Sequence, residues 1–339
     1  MADKAKKAKI TDVANLAGVS VATVSRIING VAKKASPDTV RKVKAAIAEL
    51  NYQPSGVGRA LRRNKSHLIA MVIPDANNAF YAAVATSVES ALRQKGYSMI
   101  LCNSDEDADT QDLYLTEMRS LLVSGVALLG AVPSPELEKM VNSGFPVVFI
   151  NRKAPKGLMA PFVGIDNYAA GACVAEQFIN QGYTECAAIH GPLHSPAQQD
   201  RYQGYVDRLS QEGIQIRPEW VREAKLTIES GYSAASSLLT GSDKSFPRAI
   251  FCGNDPIAYG TYRRCQDLGL QIPKDIALFG FDDNPLNQWL APWLSTIHAP
   301  YDSFGAAVVS AFERTWGNES GSQEMETILP FSVTQRTSV

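Results

Sequence analysis

The sequence predicts an all-α helix-turn-helix head followed by an α/β body built of doubly wound parallel sheets. Three observations carry this. Residues 1–65 hold fourteen Lys+Arg against only Asp3, Asp12, Asp38 and Glu49, a surplus of ten, so the rest of the 339-residue chain must carry −11 to give the net charge of −1. Inside that basic stretch two short helical segments meet at a glycine turn. From His67 onward, apolar runs of strand length alternate with amphipathic helical stretches, the pattern of parallel sheets.

The composition sets outer limits. With 45% hydrophobic and 20% charged residues, the chain has ordinary globular composition, long enough for two or three domains. No stretch approaches the ~20 consecutive apolar residues of a membrane span. Met1 to Lys9 is basic but has no apolar run behind it, so no secretion signal is expected. The five cysteines form no Cys-x-x-Cys pair, and most lie in apolar runs, which suits a reduced, cytoplasmic setting. His190 and His194 are separated by Gly191 and Pro192, which argues against one helix face. No metal and no cofactor are expected.

In the head, residues 1–50, Thr11 reads as the cap of a first helix that Gly18 and Val19 break. Ser20 caps a second segment, Val21 to Asn29, closed by Gly30. Val13, Ala14, Ala17, Val19, Val24 and Ile28 can gather into a small core. A third helix starts with Ser36 as cap, Pro37 in its first turn and Asp38 at its positive end. Val40, Val43, Ile47 and Leu50 then recur at helical spacing, and the helix should end near Asn51. In this motif the second helix presents its N-terminal residues to the major groove. Val21 and Ala22 can touch thymine methyls, and Arg26 can pair bidentately with guanine. Thr23, Ser25 and Asn29 are suited to phosphates. The partner this predicts is double-stranded DNA. Residues 51–65, with Pro54, Gly56 and Gly58 among four basic residues, form a linker.

The body spans residues 66–339. Its strands are expected at 68–73, 98–101, 127–129, 147–150, 162–165, 186–189, 249–251 and 277–281. Helices are expected at 80–94, 112–123, 170–180, 201–211 and 256–268. These exceed one comfortable sheet and suggest two similar lobes. Ligands of such sheets bind at strand carboxyl ends, which here offer Asp75, Asn103, Asn151, Asp166, Asn254 and Asp282.

The stretch from Ile10 to Gly30 resembles the DNA-binding head of the LacI/GalR family. Tyr52 to Leu61 is similar to that family's hinge. The likeness continues through Ile73-Pro74-Asp75, Gly125-Val126, Ile165-Asp166-Asn167, Phe251 to Asp255, Gly280 to Asp283 and Leu294 to Ile297. The resemblance implies a clamp of periplasmic-binding-protein type in which the chain crosses between lobes three times. Those crossings are expected near Ile165, Leu294 and Met325, giving lobes of about 66–165 with 295–325, and 166–294 with 326–339. It also implies that Ser55 to Arg62 becomes helical on DNA, with Leu61 as a wedge in the minor groove. Gly56 and Gly58 each cost such a helix ~1 kcal/mol relative to alanine.

For the effector, the resemblance matches Arg201 and Asp282 to the family's ligand-binding arginine and aspartate, and Asn254 to its asparagine. Phe80, Tyr81 and Tyr301 match positions that supply apolar walls. Two departures bear on the ligand. Ser195 stands where purine-responsive members carry an arginine, and Asn151-Arg152 stands where many relatives have an aspartate. A sugar, or a sugar acid paired with Arg152 and Arg201, is therefore favoured over a purine. The expected protein is a homodimeric transcription repressor that binds a pseudo-palindromic operator under allosteric control. An exported sugar-binding clamp would have no use for the head. An enzyme is disfavoured because no Gly-x-Ser-x-Gly, P-loop or His-Glu-x-x-His motif is present.

Overall fold

The computed structural model describes residues 8–28, 35–53, 66–239, 246–317 and 325–339. Contacts divide the chain into two units, Met1–Ser66 and His67–Val339.

In the first unit α1 (Ile10–Ala17), α2 (Val21–Ile28) and α3 (Pro37–Glu49) enclose one small core. The Asp12 carboxylate accepts the Lys9 N–H at 2.7 Å, so Lys9 rather than Thr11 caps α1. Gly18 ends that helix at φ 65°, a left-handed conformation that costs glycine little. Ser20 Oγ accepts the Thr23 N–H and Ser36 Oγ the Thr39 N–H, each at 3.2 Å, so both serines cap as expected. Val13, Val24 and Val43 are fully buried, with Ala14, Ala17, Ile27 and Ala46 around them. On α2 the buried position belongs to Ile27; Ile28 is half-buried.

The second unit holds two six-stranded sheets. The first contains β1 (Leu68–Ile73), β2 (Ser98–Asn103), β3 (Val126–Leu129), β4 (Val147–Ile150) and β5 (Phe162–Gly164). Its helices are α4 (Ala79–Gln94), α5 (Ala108–Ser120) and α6 (Pro135–Asn142). The second contains β6 (Cys186–His190), β7 (Val221–Glu223), β8 (Ala249–Cys252), β9 (Ala277–Asp282) and β10 (Ser295–His298). Its helices are α7 (Asn167–Asn180), α8 (Pro196–Gln211), α9 (Ile228–Leu238), α10 (Asp255–Asp267) and the single turn α11 (Asn287–Leu290). Then follow α12 (Tyr301–Trp316), β11 (Glu326–Ile328) and β12 (Ser332–Thr334).

The strand orders are β11-β5-β4-β3-β1-β2 and β12-β10-β9-β8-β6-β7, so the two sheets repeat one plan. All pairings are parallel except β10 with β12. Order reverses between β1 and β3 and between β6 and β8, and a crevice opens at such points beyond the strand ends.

Strand pairing corrects two of the expected crossings. β10 pairs with β9 and so belongs to the second lobe, while β11 pairs with β5 and belongs to the first. The chain therefore changes lobes after Gly164, between His298 and Tyr301, and between Ile328 and Ser332, the last two several residues later than Leu294 and Met325. The return of α12 to the first lobe rests on a close approach to α4. Ser87 Oγ donates to the Asp302 carbonyl at 2.7 Å and accepts the Gly305 N–H at 3.0 Å. A Cβ on Gly305 would lie 2.2 Å from the Ser87 carbonyl oxygen, so only glycine fits there.

Candidate functional site

On α2 the apolar side chains Val24 and Ile27 face inward, which leaves Val21, Ala22 and Arg26 exposed. Arg26 Nε donates back to the Ala22 carbonyl at 3.2 Å, holding the guanidinium along the helix. Thr23 is half-buried with its hydroxyl 2.9 Å from Ser20 Oγ, and Ser25 is half-buried as well. Ser20, Thr23, Arg26, Ser36 and Thr39 line one concavity of about 470 Å3. Two capped helix N-termini thus open on the same hollow beside an arginine, where helix dipole and guanidinium both favour negative charge. Asn29 and Leu61 lie outside the described residues, as does the hinge segment from Ser55 to Arg62.

In the body, β9 ends at Asp282, a non-glycine residue held at φ 102°. Backbone strain of that kind persists only where the surroundings enforce it. Asp282 is 4% exposed and Arg201, on the first half of α8, is 2% exposed. Arg201 Nη1 stands 3.5 Å from Asp282 Oδ1, and its planar group lies 3.6 Å from the centroid of the Phe281 ring. Arg201 Nε donates to Asn167 Oδ1 at 2.7 Å, and Nη1 donates to the Gly253 carbonyl at 3.1 Å. The guanidinium is therefore anchored, whereas Asp282 Oδ1 is buried and accepts no hydrogen bond. Burial lifts the Asp282 carboxyl to about 7, against the pull of Arg201, and neighbouring Asp255 adds to the rise.

Asp255 escaped the sequence reading, which took only Asn254 from the pair. It is fully buried, with Oδ1 accepting from Thr296 Oγ1 at 2.7 Å. Its Oδ2 accepts the Asn284 N–H at 2.7 Å and Asn287 Nδ2 at 2.8 Å. Asp255 thereby fastens the loop after β9 to β10, the strand at the second crossing. Burial raises it to about 6 despite these donors. Asn254 has a different role from the one expected. Its Oδ1 caps α10 through the Ile257 N–H at 3.0 Å, and its Nδ2 donates to the Leu226 carbonyl at 3.4 Å.

The first lobe supplies a second ion pair. Arg152 Nη2 donates to Glu106 Oε1 at 2.6 Å, and Nη1 donates to the Ala131 carbonyl. His194 Nε2, from the second lobe, is 3.9 Å from Glu106 Oε2. Tyr81 is buried, which pushes its phenol well above the ordinary range, and the charges of Arg152, Glu106, Asp282 and Arg201 all reach it. Glu106 carries no sequence signal, because its importance lies in a partner 46 positions away.

The remaining expected contacts are dispersed. Phe80 is 1% exposed and packs edge-on against Phe304, which makes it a core residue instead of a wall. Asp166 is exposed and caps α7 through the Ala169 N–H. Asn151, at φ 60° and with Oδ1 buried and unbonded, shares a 210 Å3 cavity with Asp166 instead of joining Arg201. Tyr301 opens α12 edge-on to His298, with their rings 5.3 Å apart. A larger cavity of about 650 Å3 lies between the lobes, lined by Asp75, Asn77, Asn78 and Ala79 of the first and by Leu226, Tyr259, Tyr262, Asn284 and Trp293 of the second. Its lining does not include Arg201 or Asp282. Among the described residues no group of three or more His, Cys, Asp or Glu is placed to hold a metal ion.

A helix-turn-helix head and a two-lobed clamp, with a buried arginine–aspartate pair at the strand ends of its second sheet, define a DNA-binding regulator with an effector-binding body. Comparison with known proteins agrees. Residues 9–55 match the profile of bacterial regulatory proteins of the lacI family, and residues 175–339 that of the periplasmic binding protein-like domain. The HTH-type transcriptional repressor PurR of Serratia proteamaculans is 33% identical over 323 residues, covering 94% of each chain. The ribose operon repressor of Escherichia coli K12 is 35% identical over 310 residues, covering 89% of this chain and 91% of its own. The lac repressor dimer bound to operator and an anti-inducer has the same fold, with a TM-score of 0.86 at 24% identity, over 98% of this chain and 99% of its own. The chain belongs to the LacI family and is a DNA-binding transcriptional regulator, not an enzyme.

Proposed function

We propose that this chain is a cytoplasmic homodimeric repressor whose grip on a pseudo-palindromic operator is set by a neutral, hydroxyl-rich effector of the sugar class. The observation that carries the effector reading is the orphaned oxygen of Asp282, 3.5 Å from an anchored guanidinium. A buried acceptor without a donor costs about 1–3 kcal/mol, and a ligand hydroxyl would recover it. The neighbouring Arg201 can accept no hydrogen bond and can only donate, so the pair addresses a group that both donates and accepts, as vicinal hydroxyls do.

The charge balance favours a neutral sugar over a sugar acid. Arg152 is paired with Glu106, and Arg201 faces Asp282, which compensates it once that carboxyl ionises near pH 7, so above that pH neither arginine offers an uncompensated charge to a carboxylate. The ribose operon repressor among the relatives points to the same ligand class. Effector binding across the crevice would bias lobe closure and hence the hinges of the dimer, so operator and effector alter each other's affinity reciprocally. A thermal-shift screen of neutral sugars, sugar acids and nucleosides tests this, since a ligand that binds only the folded state raises the melting temperature. A neutral sugar should shift wild type and not Asp282→Asn. A nucleoside or sugar acid that alone shifts wild type replaces this reading.

A further inference from the structure

Arg152 is built as an anion-binding arginine. It stands two residues past the end of β4, is 6% exposed, and donates from Nη1 to the Ala131 carbonyl at 3.3 Å, which fixes the guanidinium. A buried guanidinium must be matched by an anion, because an unpaired charge stripped of water is costly. The chain supplies that anion itself. Glu106 Oε1 accepts from Arg152 Nη2 at 2.6 Å, and Glu106 Oε2 lies 3.9 Å from His194 Nε2 of the second lobe. In the acidic run of Asp105, Glu106, Asp107 and Asp109, Glu106 alone is half-buried, while the other three are exposed.

Holding Glu106 there strains the backbone. Asp105 and Glu106 both sit at φ 54°, two successive non-glycine residues in the left-handed region. The flanks enforce this turn. The Asp105 N–H donates to the Pro74 carbonyl at 2.9 Å, and Ser104 donates from both N–H and Oγ to the Ile73 carbonyl. On the other side Asp107 Oδ2 caps α5 through the Thr110 N–H at 2.7 Å. Strain of this kind persists where a side chain has to be aimed. The charges of Arg152 and Glu106 reach Tyr81, as do those of Arg201 and Asp282, so this ion pair lies within reach of the Arg201–Asp282 pair.

We propose that Glu106 is a specificity-determining residue: its carboxylate fills an anion site on Arg152, where the carboxylate of an acidic ligand would sit, and thereby excludes sugar acids in favour of neutral sugars. The inference rests on the sugar reading above. Removing the Glu106 carboxylate leaves the buried Arg152 guanidinium facing an empty place of carboxylate size, which a small anion or an acidic sugar can enter.

Two variants suit the backbone at this position. Glu106→Gly empties the place, since glycine adopts φ 54° freely, and Glu106→Asn, which tolerates the same φ, removes the charge with a shorter side chain. Melting temperatures of the full-length chain are measured in sodium formate, sodium acetate and sodium chloride at equal ionic strength. Formate or acetate should raise the melting temperature of both variants above that in chloride and leave wild type unmoved. Adding Arg152→Met should abolish the effect. Titration calorimetry then compares ribose, glucose and galactose with ribonate, glucuronate and galacturonate. At least one acid should bind the variants about tenfold or more tightly than it binds wild type, the scale of one charge-assisted hydrogen bond, with the matched neutral sugar little changed. No response to formate or acetate in either variant, a response that survives Arg152→Met, or acid affinities equal to those of wild type overturn the inference. Binding of a neutral sugar to wild type leaves the sugar reading standing in each of those cases. Anion rescue and acid binding in the variants, with no neutral sugar bound by wild type, support the site on Arg152 and overturn the neutral-sugar reading. A sugar acid that binds wild type more tightly than its neutral counterpart overturns both.

Discussion

A Cβ on Gly171 would lie 1.9 Å from the carbonyl oxygen of Arg201. Helices α7 and α8 therefore touch backbone to backbone at the residue whose guanidinium stands beside Asp282. The same contact is repeated at Gly204, where a Cβ would meet the Tyr168 carbonyl oxygen at 2.0 Å. Asn167, which holds Arg201 Nε, starts the partner helix. The position of Arg201 is thus set by helix packing as much as by its own hydrogen bonds.

Gly171→Ala should accordingly separate the two helices and move Arg201 off Asp282. The methyl has backbone against it, which cannot rotate away, so an overpacking cost of about 1–3 kcal/mol is expected. Differential scanning calorimetry should show the lowered melting temperature, and effector titration should show weakened binding. Unaltered stability would mean that the helices can slide apart freely.

Asp282 predicts a pH dependence. Burial, opposed by Arg201, raises its folded-state value to about 7 from an ordinary 3.8. The folded protein then holds the proton more tightly than the unfolded chain, so stability falls as pH rises through that window. Asp255, raised chiefly by burial to about 6, acts in the same direction. Asp282→Asn should flatten the slope between about pH 6 and 7 while the Asp255 contribution remains. Hydroxyls that donate to Asp282 favour its ionised form, so effector affinity should rise with pH toward 7 and binding should release a proton. Calorimetry in buffers of different ionisation heat measures that proton; uptake in place of release would remove Asp282 from the site.

Asp283 behaves in the opposite sense. Burial pushes its carboxyl up, but His298, Arg336 and Thr334 together hold it down to about 2. Its stabilisation is present above the ordinary carboxylate value and is lost as pH falls from about 4 toward 2. Thr334 Oγ1 donates at 3.0 Å and Arg336 Nη2 at 2.9 Å, while His298 Nδ1 lies 3.1 Å away, so Asp283 ties the end of β9 to both β10 and the segment of β12. Asp283→Ala should cost about 1–3 kcal/mol. Hydrogen exchange should show the loss concentrated at residues 332–336 and 295–298, the strands beside two of the lobe crossings. Uniform loss across the second sheet would argue against a local tie.

Much of this was legible in the sequence because the signals are local. Ser36 with Pro37 marked a helix start, and apolar runs such as Val147 to Ile150 marked buried strands whose ends hold the polar groups. What escaped depends on partners distant in the chain. The strands at residues 295–298 and 326–328 were not among those expected, and only pairing with β9 or β5 decides which lobe owns them. Asn254 and Asp166 show why strand-end polar residues are ambiguous: a cap and a ligand contact need the same side chain at the same place. Asp255 and Glu106 were missed because burial and pairing, not residue type, make them matter.

Arg26 offers the sharpest test of the head. It is exposed on α2 between two capped helix N-termini, and its Nε is already spent on the Ala22 carbonyl. Base reading must then come from the two terminal nitrogens, the pair that matches O6 and N7 of guanine. Arg26→Ala should weaken operator binding by about 1–3 kcal/mol and relax preference at one base pair per half-site. Arg26→Lys should keep the charge and the salt dependence yet lose most of the preference, because an ammonium cannot form the two-pronged contact. If Thr23 contacts phosphate, substituting it should instead weaken all operator sequences alike. Binding titrations at several salt concentrations separate these outcomes, since each lost phosphate contact by a cation lowers the slope of log affinity against log salt by about one. If Arg26→Ala reduces that slope and leaves base preference untouched, Arg26 neutralises phosphate and a neighbouring residue of α2 reads the base.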